Sequence, residues 1–240
     1  MFDAFLNRQP GQPWYRILWW HLLHFLCFIW FWSCYRYRAW GVNNIPATGP
    51  VLLVSNHQSF LDPIIVGLAA HRRQFYAMAR ATLWETPVLG RVIDSLNAVS
   101  VARGESDLKA MRQCLNVLKQ NHALLIFPEG TRSPDGSTQL FEAGTMLLIK
   151  RSGAQVVPVA VEGAQKVWPK ERKGPKFTGR LGASYGQPID AATLAAMPAG
   201  EAIALLRDRV ETLRLDLAQK LEPRQPGAAS SDQALSALRL

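Results

Sequence analysis

Cysteine is scarce in this chain, occurring only as Cys27, Cys34 and Cys114. The three form no metal-ligand spacing, and two sit in an apolar segment, so they read as reduced packing residues. No serine stands in a nucleophile-elbow pattern such as G-x-S-x-G, which disfavours a covalent intermediate on serine. No small-residue cleavage site follows the long apolar stretch near the N-terminus, which argues against a removed signal peptide. No internal repeat is visible. Acidic residues are in deficit: 18 Asp and Glu face 27 Lys and Arg, for a net charge of +9 and a pI near 9.8. Such an excess implies an anionic partner, and by itself admits nucleic acid, anionic lipid or a phosphorylated metabolite.

What is abundant is apolar and aromatic. At 240 residues and 48% hydrophobic, the chain can build one large α/β domain with appendages. Six of its eight tryptophans (Trp14, Trp19, Trp20, Trp30, Trp32 and Trp40) fall in the first 40 residues. The stretch from Trp14 to Arg38 is long enough in a helix to match a ~30 Å hydrocarbon core, but Arg16, His21 and His24 interrupt its first half. Aromatics crowd both ends, as suits a membrane–water interface, and Arg36 and Arg38 suit anionic headgroups on the cytoplasmic side. A membrane-associated aromatic helix is therefore expected; spanning, re-entrant and one-leaflet placements all remain open. An apolar helix of this kind argues against nucleic acid as the partner. The expected organisation is an anchoring segment over 1–39, an α/β domain over 40–221 and a flexible tail over 222–240.

Beyond Trp40, short apolar runs alternate with helical stripes. Strands are expected at Val51–Val54, Gln74–Ala79, Ala98–Ala102, Ala123–Phe127, Gln155–Val161 and Leu181–Tyr185. Helices are expected at Pro63–Ala70, in part of Trp84–Ser95, and at Ser106–Asn121, Ala143–Arg151 and Ala191–Leu221. The alternation predicts an α/β fold with a mainly parallel twisted sheet flanked by helices. The basic stretch Lys166–Lys176 carries Trp168 and fits either a solvated loop or a lipid contact.

Two strand ends carry chemistry. Val51–Val54 runs into Ser55, Asn56 and His57, with Asp62 five residues on and Pro63 directly after it. A histidine and a carboxylate near a strand end are the parts of a general base and its orienting partner. Asp62–Pro63 also fits the N-cap and first residue of a helix. Ala123–Ile126 runs into Phe-Pro-Glu-Gly-Thr-Arg-Ser over 127–133. Ligand sites of open α/β sheets gather beyond the strands' carboxyl ends, so His57 and Arg132 can share one crevice. Gly130 permits close backbone approach, Thr131 adds a hydroxyl, and Arg132 offers a fork of donors for phosphate or carboxylate. Alone, that stretch is equally a tight turn with a Glu129–Arg132 surface ion pair. Arg103, after a third strand, is either a solvated charge or a second arginine on the same anion.

The N-H-x-x-x-x-D pattern at Asn56–Asp62 and the F-P-E-G-T-R-S block at Phe127–Ser133 resemble the 1-acyl-glycerol-3-phosphate (lysophosphatidate) acyltransferase family. Order and spacing match, the Arg103 segment resembles that family's second block, and Val156–Val161 its fourth. The similarity runs from about Trp40 to Pro188. It implies that His57 deprotonates an acceptor hydroxyl, that Asp62 orients it, and that Glu129, Gly130, Thr131 and Arg132 bind the acceptor while Arg103 contacts its phosphate. Where the family usually has lysine in the second block, this chain has Arg80, which keeps the charge but not the geometry. The implied reaction moves an acyl chain from acyl-CoA or acyl-carrier protein to the sn-2 hydroxyl of lysophosphatidate at the cytoplasmic face of a membrane, with no metal and no further cofactor. Another lysophospholipid or a lyso-aminolipid as acceptor, or a lipid hydrolase or thioesterase using water, are the alternatives.

Overall fold

The central strand, β2 (Val51–Ser55), is apolar at four consecutive positions and buried at all five. Such a run is stable only where both faces of a sheet are covered. Its alternate side chains enter two cores: Val51 and Leu53 point to one, Leu52 and Val54 to the other. The computed structural model describes residues 14–70, 73–80, 85, 90–91, 97–101 and 107–223. The expected helix within Trp84–Ser95, and the tail from residue 224, lie largely outside them.

The sheet contains β1 (Arg38–Trp40), β2, β3 (Phe75–Arg80), β4 (Ala98–Val101), β5 (Ala123–Ile126), β6 (Gln155–Glu162) and β7 (Gly182–Tyr185). Their spatial order is β1-β7-β6-β2-β5-β3-β4, parallel throughout except for the antiparallel pair β6 and β7. One face carries α1 (Trp14–Tyr35), α2 (Asp62–Ala69) and the short α5 (Ala164–Val167), through residues such as Phe31, Ile65 and Val167. The other carries α3 (Asp107–Lys119), α4 (Gly144–Ser152), α6 (Ala191–Ala195) and α7 (Ala199–Leu221), through Leu118, Ile149, Leu194 and Leu206. The single C-terminal helix expected from the sequence is therefore two, parted at Met197 and Pro198. Proline lacks the N–H that a continuous helix needs at that position.

The strand β1 was not expected, and it runs across residue 39. Phe31 and Tyr35 of α1 are fully buried, and Tyr35 donates its hydroxyl to the Lys176 carbonyl at 2.8 Å. The carboxyl end of α1 is thus part of the domain core. Elsewhere α1 leaves large apolar side chains uncovered, including Trp14 at 67% exposure, Phe25 at 58% and Trp32 at 63%. Among the described residues, no helix is long and apolar enough to cross a membrane.

The topology also sets a crevice. From β2 the chain moves past β5 to β3, whereas from β5 it moves back past β2 to β6. Neighbouring parallel strands whose connections leave in opposite directions open a gap at their carboxyl ends. The pairing of Val54 with Ile126 brings the loops after β2 and β5 to the same edge.

Candidate active site

Asn56 fixes the exit from β2. Its Nδ2 donates to the Val161 carbonyl at 2.9 Å, and its Oδ1 accepts the Val161 N–H at 2.8 Å. This clasp to β6 determines where His57 starts. His57 Nδ1 then lies 2.8 Å from Asp62 Oδ2, which also accepts the N–H groups of Gln58 at 2.6 Å and Ser59 at 2.7 Å. Asp62 is fully buried, while the His57 side chain keeps 19% of its exposure. Three N–H donors thus converge on one carboxylate oxygen.

This corrects the capping expectation. Leu61 is the N-cap residue of α2 and Asp62 its first helical residue, with no side-chain cap bond at Leu61. Asp62 turns back over the preceding loop because three donors converge there on one oxygen. A carboxylate on Nδ1 favours the tautomer that carries its proton there and its lone pair on Nε2. The imidazole also stacks on Phe127, with ring centroids 4.2 Å apart and planes at 19°. Phe127 carried no functional expectation, yet its place immediately after the strand paired with β2 put it beside His57.

The loop after β5 grips His57 through its backbone. Glu129 Oε1 accepts the His57 N–H at 3.1 Å, and the His57 carbonyl accepts the Ser133 N–H at 2.7 Å. Glu129 is only 7% exposed, so it sits beneath the His57 loop rather than on the surface. Burial, with Asp62 and Glu211 nearby, pushes its carboxyl up to about 7, although the N–H groups of His57 and Gln139 pull the other way. Gly130 closes the turn with its N–H on the Phe127 carbonyl at 3.1 Å and adopts φ 66°, a left-handed conformation natural to glycine. A Cβ there would meet Glu142 Oε1 at 2.4 Å.

Thr131 is exposed, and the Arg132 guanidinium lies 3.7 Å above the ring of Phe60, a cation–π contact. The basic stretch after β6 reaches this point too. Lys170 Nζ donates to Thr131 Oγ1 at 3.2 Å, Ser59 Oγ donates to the Trp168 carbonyl at 2.9 Å, and Trp168 meets Phe60 edge-on at 5.5 Å. Lys170 thereby joins Arg132 on the loop that grips His57, a position its place in the sequence did not signal. Gln58 braces the assembly from below, giving its Nε2 to the Gly136 carbonyl at 2.7 Å and to Glu162 Oε2 at 3.1 Å. Glu162 is in turn paired with Arg214 of α7 at 3.0 Å. Arg103 and the side chain of Arg80 lie outside the described residues.

The structure thus brings His57, Asp62, Glu129, Gly130, Thr131 and Arg132 together at one strand-end crevice. An oriented imidazole beside two cations is suited to removing a proton from a hydroxyl on an anionic molecule.

Comparison with known proteins agrees in kind. A family model described as Acyltransferase matches residues 36–162, more than half of the chain. A chloroplastic 1-acyl-sn-glycerol-3-phosphate acyltransferase of Arabidopsis thaliana is 29% identical over 173 residues, which cover 69% of this chain and 48% of the relative. The chain therefore spans about half the length of that relative, as it does of a chloroplastic homologue from Brassica napus. The 1-acyl-sn-glycerol-3-phosphate acyltransferase of Bacillus subtilis is 23% identical over 77% of this chain and 89% of its own. Among solved structures, the 1-acyl-sn-glycerophosphate acyltransferase PlsC of Thermotoga maritima superposes with a TM-score of 0.68 at 23% identity, covering 93% of this chain and 88% of the other. At that identity the likeness carries the fold.

Proposed function

Because the chain belongs to the acyltransferase family, we propose that it transfers an acyl group from a thioester, acyl-CoA or acyl-carrier protein, to the sn-2 hydroxyl of lysophosphatidate, forming phosphatidate. Relatives named for this activity support the choice of reaction. The observation that carries it is the 2.8 Å His57–Asp62 contact beside Arg132 and Lys170.

In this reading His57 Nε2 takes the proton of the acceptor hydroxyl as its oxygen attacks the thioester carbonyl. Asp62 stabilises the imidazolium that results. Collapse of the tetrahedral intermediate breaks the C–S bond, and the thiolate recovers the proton from His57. A positioned base of this kind contributes roughly 10²–10⁴-fold. Glu129 acts on His57 by holding its backbone, and Gln58, itself anchored to Gly136 and Glu162, donates its N–H to Asp62. Arg132, Thr131 and Lys170 engage the acceptor's phosphate, with Arg103 as a further phosphate contact. The uncovered aromatic side chains of α1 support a site that works at a lipid surface, where acceptor and product reside, and Arg36 and Arg38 favour its cytoplasmic side.

Thioester release measured with lysophosphatidate, lysophosphatidylcholine and a lyso-aminolipid tests the acceptor. Lysophosphatidate should be preferred, and Lys170→Ala should raise its KM by roughly fivefold, the value of one exposed charged contact. Equal turnover of all three acceptors would shift the assignment to a broader lysolipid acyltransferase. Thioester loss at the same rate without acceptor would make it a hydrolase.

A further inference from the structure

Away from the His57 crevice, a cleft of about 580 Å³ opens between the carboxyl end of α1, the start of α5 and the end of α7. That volume suits a small polar headgroup with part of its chains. Four cations line it, Arg36, Lys166, Lys176 and Arg180, against two carboxylates, Glu162 and Glu222. Arg214 already engages Glu162 at 3.0 Å, so the lining carries a net positive charge. The cleft is also built rather than loose. The Lys176 N–H donates to the Val167 carbonyl at 2.9 Å, its carbonyl accepts the Tyr35 hydroxyl at 2.8 Å, and Arg180 Nη1 donates to the Leu221 carbonyl at 3.0 Å.

Arg36 supplies an independent observation. It occupies the position after α1 with φ 48°, in the left-handed region where helices usually end on glycine. An arginine held there costs backbone energy that glycine would not, and such outliers gather at binding sites. Six and four residues before it stand Trp30, 39% exposed, and Trp32, 63% exposed. The cleft, lined by Ser33 and Cys34, thus opens next to the segment of α1 whose uncovered aromatic side chains suit a lipid surface.

We propose that this cleft binds the phosphate headgroup of an anionic phospholipid in the membrane that the enzyme works on, separately from the acceptor. The inference rests on the lipid-surface placement of α1 and not on the chemistry at His57, so His57→Ala should bind vesicles as the wild type does. The test is flotation of the full chain with vesicles of phosphatidylcholine alone or mixed with phosphatidylglycerol. Arg36→Gly removes the cation while relaxing the backbone. It should lower partitioning onto the anionic vesicles roughly fivefold, and Arg36→Gly with Lys176→Gln roughly 25-fold, at the usual contribution of a cation near such a surface. Partitioning onto phosphatidylcholine should be unchanged, Arg36→Lys should restore binding, and Tm should hold or rise. Undiminished binding of the double variant overturns the proposal. So does an equal loss on neutral vesicles, or an equal loss with Arg151→Gln on the other face of the sheet. Displacement of the wild type from anionic vesicles by coenzyme A would assign the cleft to the acyl donor and overturn it as well.

Discussion

Replacing Asp62 by asparagine separates the two things its carboxylate does. Oδ2 accepts three hydrogen bonds, from His57 Nδ1, Gln58 N and Ser59 N, at 2.6–2.8 Å in a fully buried place. Bonds to a charged acceptor are worth about 1 kcal/mol more than neutral ones. Neutralising the acceptor should therefore cost roughly 2–3 kcal/mol of stability, or about 5–10 °C in Tm for a chain of this size. The effect on turnover has a different origin. An amide can donate to Nδ1 and so place the ring proton on Nε2, the nitrogen that must take the acceptor's proton. The counter-charge to the imidazolium is lost at the same time. A fall in kcat on the order of 10²–10⁴-fold is expected, with KM for lysophosphatidate nearly unchanged. Thioester release at saturating acceptor and a urea titration read the two effects independently. A kcat within threefold of wild type, in a variant that has lost the expected stability, would leave Asp62 as a loop brace and refute its role in orienting the base.

Two further outcomes follow from the loop after β5. The folded state holds a proton on Glu129 up to about 7, whereas an exposed glutamate releases it near 4.5. The wild type should lose stability as pH rises through this window, by as much as about 3 kcal/mol, and Glu129→Gln should not. Urea midpoints of the two proteins at pH 4.5 and 8 measure the difference, and parallel behaviour would contradict it. Gly130→Ala places a Cβ at φ 66° and 2.4 Å from Glu142 Oε1. It should cost about 1–2 kcal/mol and lower kcat by shifting the turn that grips His57, and an unaltered Tm would show that the turn can relax freely.

Much of this was legible from residue order because the apolar runs are unambiguous. Val51–Val54 and Ala123–Ile126 carry four consecutive buried side chains each, which only a doubly covered parallel sheet accommodates. Strand-end loops then had to meet at one edge, which brought His57 and Arg132 together. Three features were not legible. Asp62 beside His57 was legible, but its place in α2 was not: Asp-Pro reads as N-cap and first residue, whereas Leu61 is the N-cap and Asp62 already helical. Glu129 reads as a surface acid because its burial depends on tertiary contacts, with the His57 loop and Glu211 of α7 brought to it from distant parts of the chain. Lys170 lies in a stretch without periodicity, so its meeting with Thr131 depends on how Trp168 packs on Phe60. Strand β1 was hidden for a related reason: Arg38–Trp40 is short and separated from an apolar helix by only two residues.

The central claim is that His57 removes the proton from a lysophosphatidate hydroxyl. It is tested most directly by acceptor-dependent thioester consumption in purified wild type and His57→Ala, with unfolding measured in parallel. The variant should keep its fold and its affinity for lysophosphatidate while losing turnover by at least about 10²-fold. A folded His57→Ala protein that forms phosphatidate at a rate near that of the wild type would contradict the account.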